Sequence, residues 1–228
     1  MAAAGGISYR KAAMTTPLRI DFVSDVSCPW CAIGLRSLET ALERIGPDIA
    51  ADIHFQPFEL NPDMGREGQD ITEHIAEKYG STPEQQEQSR AMIRQRGADV
   101  GFTFAMDKRS RIYNTFDAHR LLHWAEGTGR QKELKHALLE AYFTNGEDPS
   151  SHDTLLRAAE KAGLDLRAAQ DVLESDRYAE EVREVEAFWQ QHGIHSVPAV
   201  IINQRHLISG GQPPELFEQA LRQIAAGA

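Results

Sequence analysis

Hydrophobic and polar positions along the chain divide it into stretches of different period. Residues 18–26, LRIDFVSDV, form a short apolar run with an acid at Asp21, and the pattern predicts a strand. Residues 28–46, CPWCAIGLRSLETALERIG, switch to a helical period. Ile33, Leu35, Leu38, Leu42 and Ile45 fall roughly on one stripe, and Gly46 stops it. ADIHFQPFEL, 51–60, alternates at Ile53 and Phe55, meets prolines at Pro57 and Pro62, and reads as a second strand. Strand, helix and strand joined by short connections predict a right-handed βαβ unit with parallel strands.

From about 63 to 185 the period stays helical. DITEHIAEKYG ends in Gly80, and TPEQQEQSRAMIRQRG opens with Thr82 as N-cap and Pro83 at the first helical position. Five further helical segments follow up to Gly193, while GFTFAM, 101–106, reads as a loop or a short extended piece. The pattern then reverts: VPAVIIN (197–203) and RHLISGG (205–211) predict an antiparallel hairpin turning near Asn203 and Gln204. PPELFEQALRQIAAG is a last helix, opened by prolines and closed by Gly227. The order is βαβ, a helical block, then ββα. It predicts an α/β domain from residues 18–62 plus 186–228, interrupted by an all-helical insertion at 63–185. Residues 1–17 read as a flexible leader, with Met14 an internal candidate start.

Composition narrows the function. The 228 residues carry 34 Asp plus Glu against 24 Lys plus Arg, a formal net charge of −10. That balance argues against a nucleic-acid or anionic-membrane partner, since no excess of basic side chains is available for phosphates. No apolar run approaches a membrane span. The N-terminus has no apolar core of a secretory signal, so the default compartment is the cytoplasm, which keeps thiols reduced.

Only two cysteines are present, Cys28 and Cys31, three apart and between the strand and the helix that follows it. A helix N-terminus offers free N–H groups and partial positive charge, which favour a thiolate. Cys28 is therefore expected to be the exposed nucleophile, and Cys31, one turn in, the resolving thiol. Structural zinc needs two more ligands and no second cysteine pair supplies them, so no metal is expected. Pro198 follows Val197 at a strand start; a cis bond there would expose the Val197 backbone to a substrate, while a trans proline at a strand edge is the other reading. Asp21 is a candidate proton acceptor for Cys31, or else a strand acid on the surface. Asp25 would oppose thiolate formation if close to Cys28, and Ser27 is a candidate helix cap. Trp30 either shields the sulfurs or offers apolar surface to substrate. His119 and His123 share a helix face, but packing is the better reading because HRLLH lacks the glutamate of a metalloprotease.

Taken together, SDVSCPWCAIG, FQPFELNPDM, NTFDAHRLLHWA and SVPAVIIN…ISGGQP resemble the DsbA-like branch of the thioredoxin superfamily, in particular its cytosolic FrnE-like group of dithiol–disulfide isomerases. The resemblance runs over about residues 18–226. It implies a thioredoxin fold with a helical insertion, Cys28 as nucleophile, Cys31 as resolving cysteine, and Pro198 as a cis proline facing them. Val197, Pro198 and Trp30 would then bind substrate. Where the family commonly carries Gly-Val-Pro this chain has His195 and Ser196 before Val197, and the pair encloses Pro29-Trp30 with no histidine, which implies a less oxidising couple. The expected activity is thiol–disulfide exchange on a protein or small-molecule disulfide, with no cofactor and with glutathione open as reductant or co-substrate. The alternative is a glutathione-dependent isomerase or transferase like the 2-hydroxychromene-2-carboxylate isomerases and kappa-class transferases, which share the architecture. A third reading is a chaperone-like module that uses the apolar cleft near Trp30 and needs neither sulfur.

Overall fold

The computed structural model describes residues 16–227. In chain order it contains β1 (Thr16–Ser24), α1 (Pro29–Ile45), β2 (Ile49–Pro57), β3 (Gln69–Asp70), α2 (Ile71–Tyr79), α3 (Pro83–Asp99), β4 (Arg111–Ile112), α4 (Phe116–Glu126), α5 (Gln131–Glu140), α6 (His152–Lys161), α7 (Leu166–Leu173), α8 (Ala179–Gln191), β5 (Ala199–Ile202), β6 (His206–Ser209) and α9 (Pro214–Ala226). Most of the expected leader lies outside the described residues; β1 begins at Thr16, two residues before the expected strand.

One four-stranded mixed sheet runs β2-β1-β5-β6. β1 and β2 are parallel, as a crossover through α1 requires, and β5 and β6 are each antiparallel to their neighbour. Alternation along β1 sorts its side chains onto two faces. Leu18, Ile20 and Phe22 join Val200, Ile202, Phe217, Leu221 and the apolar stripe of α1 in one core. Val23 points the other way and packs with Ala199, Ile201, Phe58, Trp189 and Ile194. Both faces are thus covered, which is the arrangement that favours apolar runs over strict polar alternation in a strand. The hairpin turns at Asn203 and Gln204, with left-handed φ of 52° and 56° and an Arg205 N–H donating to the Ile202 carbonyl at 3.1 Å.

The helical block has its own core, built on Leu121, Leu122, Leu134, Leu138, Leu155 and Val172. Val26, from the loop between β1 and α1, inserts into it and joins the two halves. The expected boundary at residue 185 falls inside α8, whose Val185 and Trp189 lie against the sheet. The block also holds the β3–β4 pair, two residues each, which carries no alternation to read. At its C-terminal end α5 widens into a π turn, Ala141–Asn145, stopped by Gly146 at φ 74°. A Cβ on Gly146 would fall 2.5 Å from the Lys108 carbonyl oxygen, so glycine lets the 103–111 loop close onto this turn.

Candidate active site

Cys28 is the N-cap of α1 and Pro29 opens the helix, where a missing N–H costs nothing. Both cysteines are free thiols, and Cys31 is fully buried. Cys28 is only 4% exposed, so it does not stand on the outer surface as the sequence suggested; it lines a cavity. It belongs to the core cluster against which Trp30 and Val197 pack. The two thiols diverge in acidity. The Cys31 side chain and the N–H groups of Cys31 and Trp30 hold Cys28 below its ordinary thiol range, against burial and the charge of Asp25. Burial, and then Cys28 itself, push Cys31 well above that range.

The Val197–Pro198 bond is cis. The Cys28 thiol lies 3.8 Å from the Val197 carbonyl oxygen, close enough to donate to it. Val197 and Trp30 line the cavity with His195 and Ser196, whereas Pro198 stands behind and packs on α1. The packing depends on two glycines: a Cβ on Gly34 would meet Pro198 Cγ at 3.1 Å, and one on Gly211 would meet the Trp30 carbonyl oxygen at 2.8 Å. The segment before α9 therefore holds both the proline loop and the first turn of α1.

Charged groups lie beneath the sulfurs. Asp25 is fully buried and accepts from the Leu60 N–H at 2.7 Å and the Ser27 N–H at 3.1 Å. His119 Nε2 lies 3.5 Å from Asp25 Oδ1, the oxygen that also accepts from Ser27. Burial would raise the Asp25 carboxyl, but His119 and the two N–H donors outweigh it and hold it below the usual range. Lys135, from α5, is 1% exposed, and its Nζ has no hydrogen-bond partner among the described residues. Burial lowers its pKa, opposed by the nearby Cys31, Asp25 and Cys28. Burial makes this amine easier to deprotonate than an ordinary lysine.

Three sequence expectations need correction here. Asp21 is not placed to take a proton from Cys31. It alternates with Ile20 and Phe22, which face α1, so it points to the other side of the sheet, and its carboxylate is held by Arg19 at 2.7 and 3.0 Å and by Gln56 at 2.8 Å. Ser27 does not cap α1; its hydroxyl is buried without a partner among the described residues. His119 is more than helix packing, because it sits at Asp25, while His123 stacks on Tyr178 at 5.5 Å between ring centroids. The residue that sequence reasoning missed is Lys135. A signal existed: it lies four residues from Gln131 and four from Leu139, both buried, so it falls on the buried face of α5.

Above the sulfurs the cavity has a volume of about 680 Å³. Apolar walls come from Phe58, Leu60, Ile71, Ile75, Ile93 and Met106. The helical block roofs it through α2 and α3, and the sheet domain supplies the floor. Among the described residues no group of histidine, cysteine and acidic side chains is arranged to hold a metal ion, and no helix is long and apolar enough to cross a membrane.

Residues 19–222 match the model of the DSBA-like thioredoxin domain. The chain belongs to this family. A probable DsbA oxidoreductase from Streptomyces coelicolor is 32% identical, with a TM-score of 0.83, over 92% of this chain and 90% of that one. The cytosolic disulfide reductase DsbM from Pseudomonas aeruginosa, solved with GSH, is similar in fold at 14% identity and a TM-score of 0.62, over 90% and 98%. A 2-hydroxychromene-2-carboxylate isomerase is also similar in fold, at 15% and 0.68 over 90% and 95%. Within the DSBA-like family, this chain has a thioredoxin-like fold with a mixed four-stranded sheet and nine α-helices among the described residues. It is similar to thiol–disulfide oxidoreductases.

Proposed function

We propose that this protein is a cytoplasmic dithiol–disulfide oxidoreductase of the FrnE-like branch, in which Cys28 attacks a substrate disulfide and Cys31 resolves the mixed disulfide. One observation carries the reading: two free thiols sit on the first turn of α1, and Cys28 lines the cavity beside the Val197 carbonyl; the opposite shifts of the two thiols support it. In the first step the Cys28 thiolate attacks one substrate sulfur. The substrate S–S bond breaks, and the departing thiolate takes a proton from solvent. In the second, Cys31 gives up its proton, with the Lys135 amine in its deprotonated form as the acceptor, and attacks Cys28 Sγ. The mixed disulfide breaks, and the second substrate thiolate leaves and is protonated. Two electrons pass from the protein dithiol to the substrate. A thiol reductant of the glutathione class would return the Cys28–Cys31 disulfide to its dithiol by the same exchange. Val197 and Trp30 border the attack, with Pro198 fixing the Val197 carbonyl beside Cys28.

Cys28→Ser should lose reduction of a chromogenic disulfide to background. Cys31→Ser should accumulate the mixed disulfide, visible as added mass on the intact protein. Full activity in Cys28→Ser would falsify the assignment. The enclosed, mostly apolar cavity also favours a second reading, a glutathione-dependent isomerase or transferase acting on a small molecule. Under that reading Cys31→Ser would sustain steady turnover with glutathione and trap nothing.

A further inference from the structure

Net charge makes the cavity lining unexpected. The chain is acidic overall, yet Lys78, Arg90 and Arg109 line the cavity against a single carboxylate, Glu59. Glu59 is already met by Arg183, and Arg90 by Glu87 at 3.1 Å. Lys78 donates only to neutral oxygens, the Leu60 carbonyl and Asn61 Oδ1, each at 2.6 Å. Arg109 is the sharper case. It is 8% exposed, it forms no ion pair among the described residues, and its Nε has no hydrogen-bond partner. Its Nη1 reaches nothing stronger than Met106 Sδ at 4.0 Å.

A guanidinium stays charged at any pH a protein survives, so burial without an anion is costly. The fold nonetheless holds Arg109 in place. Its Cζ lies over the Tyr142 and Phe143 rings, 4.9 and 5.1 Å from their centroids. The loop that carries it is tied to the π turn on three sides. The Ala105 N–H donates to the Phe143 carbonyl at 2.9 Å, Thr144 Oγ1 to the Thr103 carbonyl at 2.7 Å, and the Tyr142 hydroxyl to the Arg111 carbonyl at 2.9 Å. A guanidinium fixed on aromatic faces at the cavity wall, with no anionic partner among the described residues, has the chemistry to receive a carboxylate.

We propose that the cavity over Cys28 binds small thiols and disulfides that carry a carboxylate on an apolar stem, with Arg109 as the partner of that carboxylate. The proposal rests on the thiol–disulfide reading given above and names the substrate class of that site. The stem lies along Ile71, Ile93 and Met106, the sulfur meets Cys28, and Lys78 adds a second positive charge at the wall. Folded proteins are not the substrates such a cavity selects.

The test compares a dicarboxylated aryl disulfide, bis(carboxy-nitrophenyl) disulfide, with neutral dipyridyl disulfide. In Arg109→Met the kcat/KM for the carboxylated probe should fall about tenfold or more beyond any fall for the neutral one. Arg109→Lys should recover part of the difference. A general loss of Cys28 thiolate would slow both probes equally and cancel in the ratio. An unchanged ratio overturns the carboxylate site. If Arg109→Met does not fold, calorimetric titration of the wild-type protein with naphthoate and with naphthamide decides the matter. Tighter binding of naphthoate by about tenfold supports the site, and equal affinities, or binding of neither, overturn it. Reduction of neither disulfide by the wild-type protein would instead overturn the thiol–disulfide reading, while the naphthoate titration would still report on Arg109.

Discussion

Below the sulfurs a lysine is buried without an acidic partner at hydrogen-bond distance among the described residues; across the cavity from the sheet an arginine is buried in the same condition. Lys135 sits on a regular helix, in contact with the electrostatics of Cys31, Asp25 and Cys28. Arg109 sits on a loop stacked on aromatic rings. The lysine can meet the cost of burial by giving up its proton, and the arginine cannot. Under the proposed thiol–disulfide exchange the difference separates two needs: a titratable cation where a proton moves, and a permanent cation where a carboxylate is received.

The largest expected effect tests the first half of that contrast. Lys135→Met should slow release of the second thiol, the step in which Cys31 closes the disulfide, by about a hundredfold or more. Stopped-flow release of the two thiols separates this step from the first. The pH profile carries the sign. The neutral amine gains population as pH rises through its lowered pKa, so the wild-type rate should rise and level there. In the variant the rise should move to higher pH, following the Cys31 thiol, which burial holds well above its ordinary value. Lys135→Arg sharpens the point, because it keeps the charge and removes the base. A wild-type profile in Lys135→Arg would mean that the amine acts only through its charge.

A smaller effect concerns what keeps Lys135 in place. Glu39 on α1 accepts from His136 at 2.7 Å and Lys132 at 3.0 Å, both on α5 beside Lys135. Burial would raise the Glu39 carboxyl, but these two neighbours lower it from 4.5 to about 2. Its folded pKa is depressed, so its contribution is complete above the ordinary value and is lost as pH falls toward about 2. Between about pH 5 and pH 2 the wild-type protein should lose about 1–2 kcal/mol more stability than Glu39→Gln, measured by urea unfolding, allowing for solvent screening. Equal acid sensitivity of the two would remove Glu39 as the clamp between α1 and α5.

What could be read from the sequence follows from where each signal is local. β1, α1 and β2 rest on periodicity within one segment, and Gly46, Gly80 and Gly227 mark helix ends by their own conformations or positions. The cysteine pair at a helix start is likewise a property of four residues. Asp21 was misplaced although its side was legible: Leu18, Ile20 and Phe22 alternate with Arg19 and Asp21, which puts the acid on the face away from α1. β3 and β4 are too short to show any period. Lys135 was legible in principle from its register on α5, but a buried charge is rare enough that pattern reading sends it outward. Arg109 had no signal at all, since its loop has no period and its setting is made by a turn more than thirty residues on.

β1 finds one neighbour directly after α1 and the other only at residues 199–202. Synthesis from the N-terminus therefore delivers both thiols long before Val197, whose carbonyl lies beside Cys28, has left the ribosome. A nascent chain carries a reactive pair through that interval with nothing over it. Within these 228 residues there is no third cysteine, so the one intramolecular disulfide they can form is the Cys28–Cys31 pair that the proposed exchange uses, and scrambling among them has no partner.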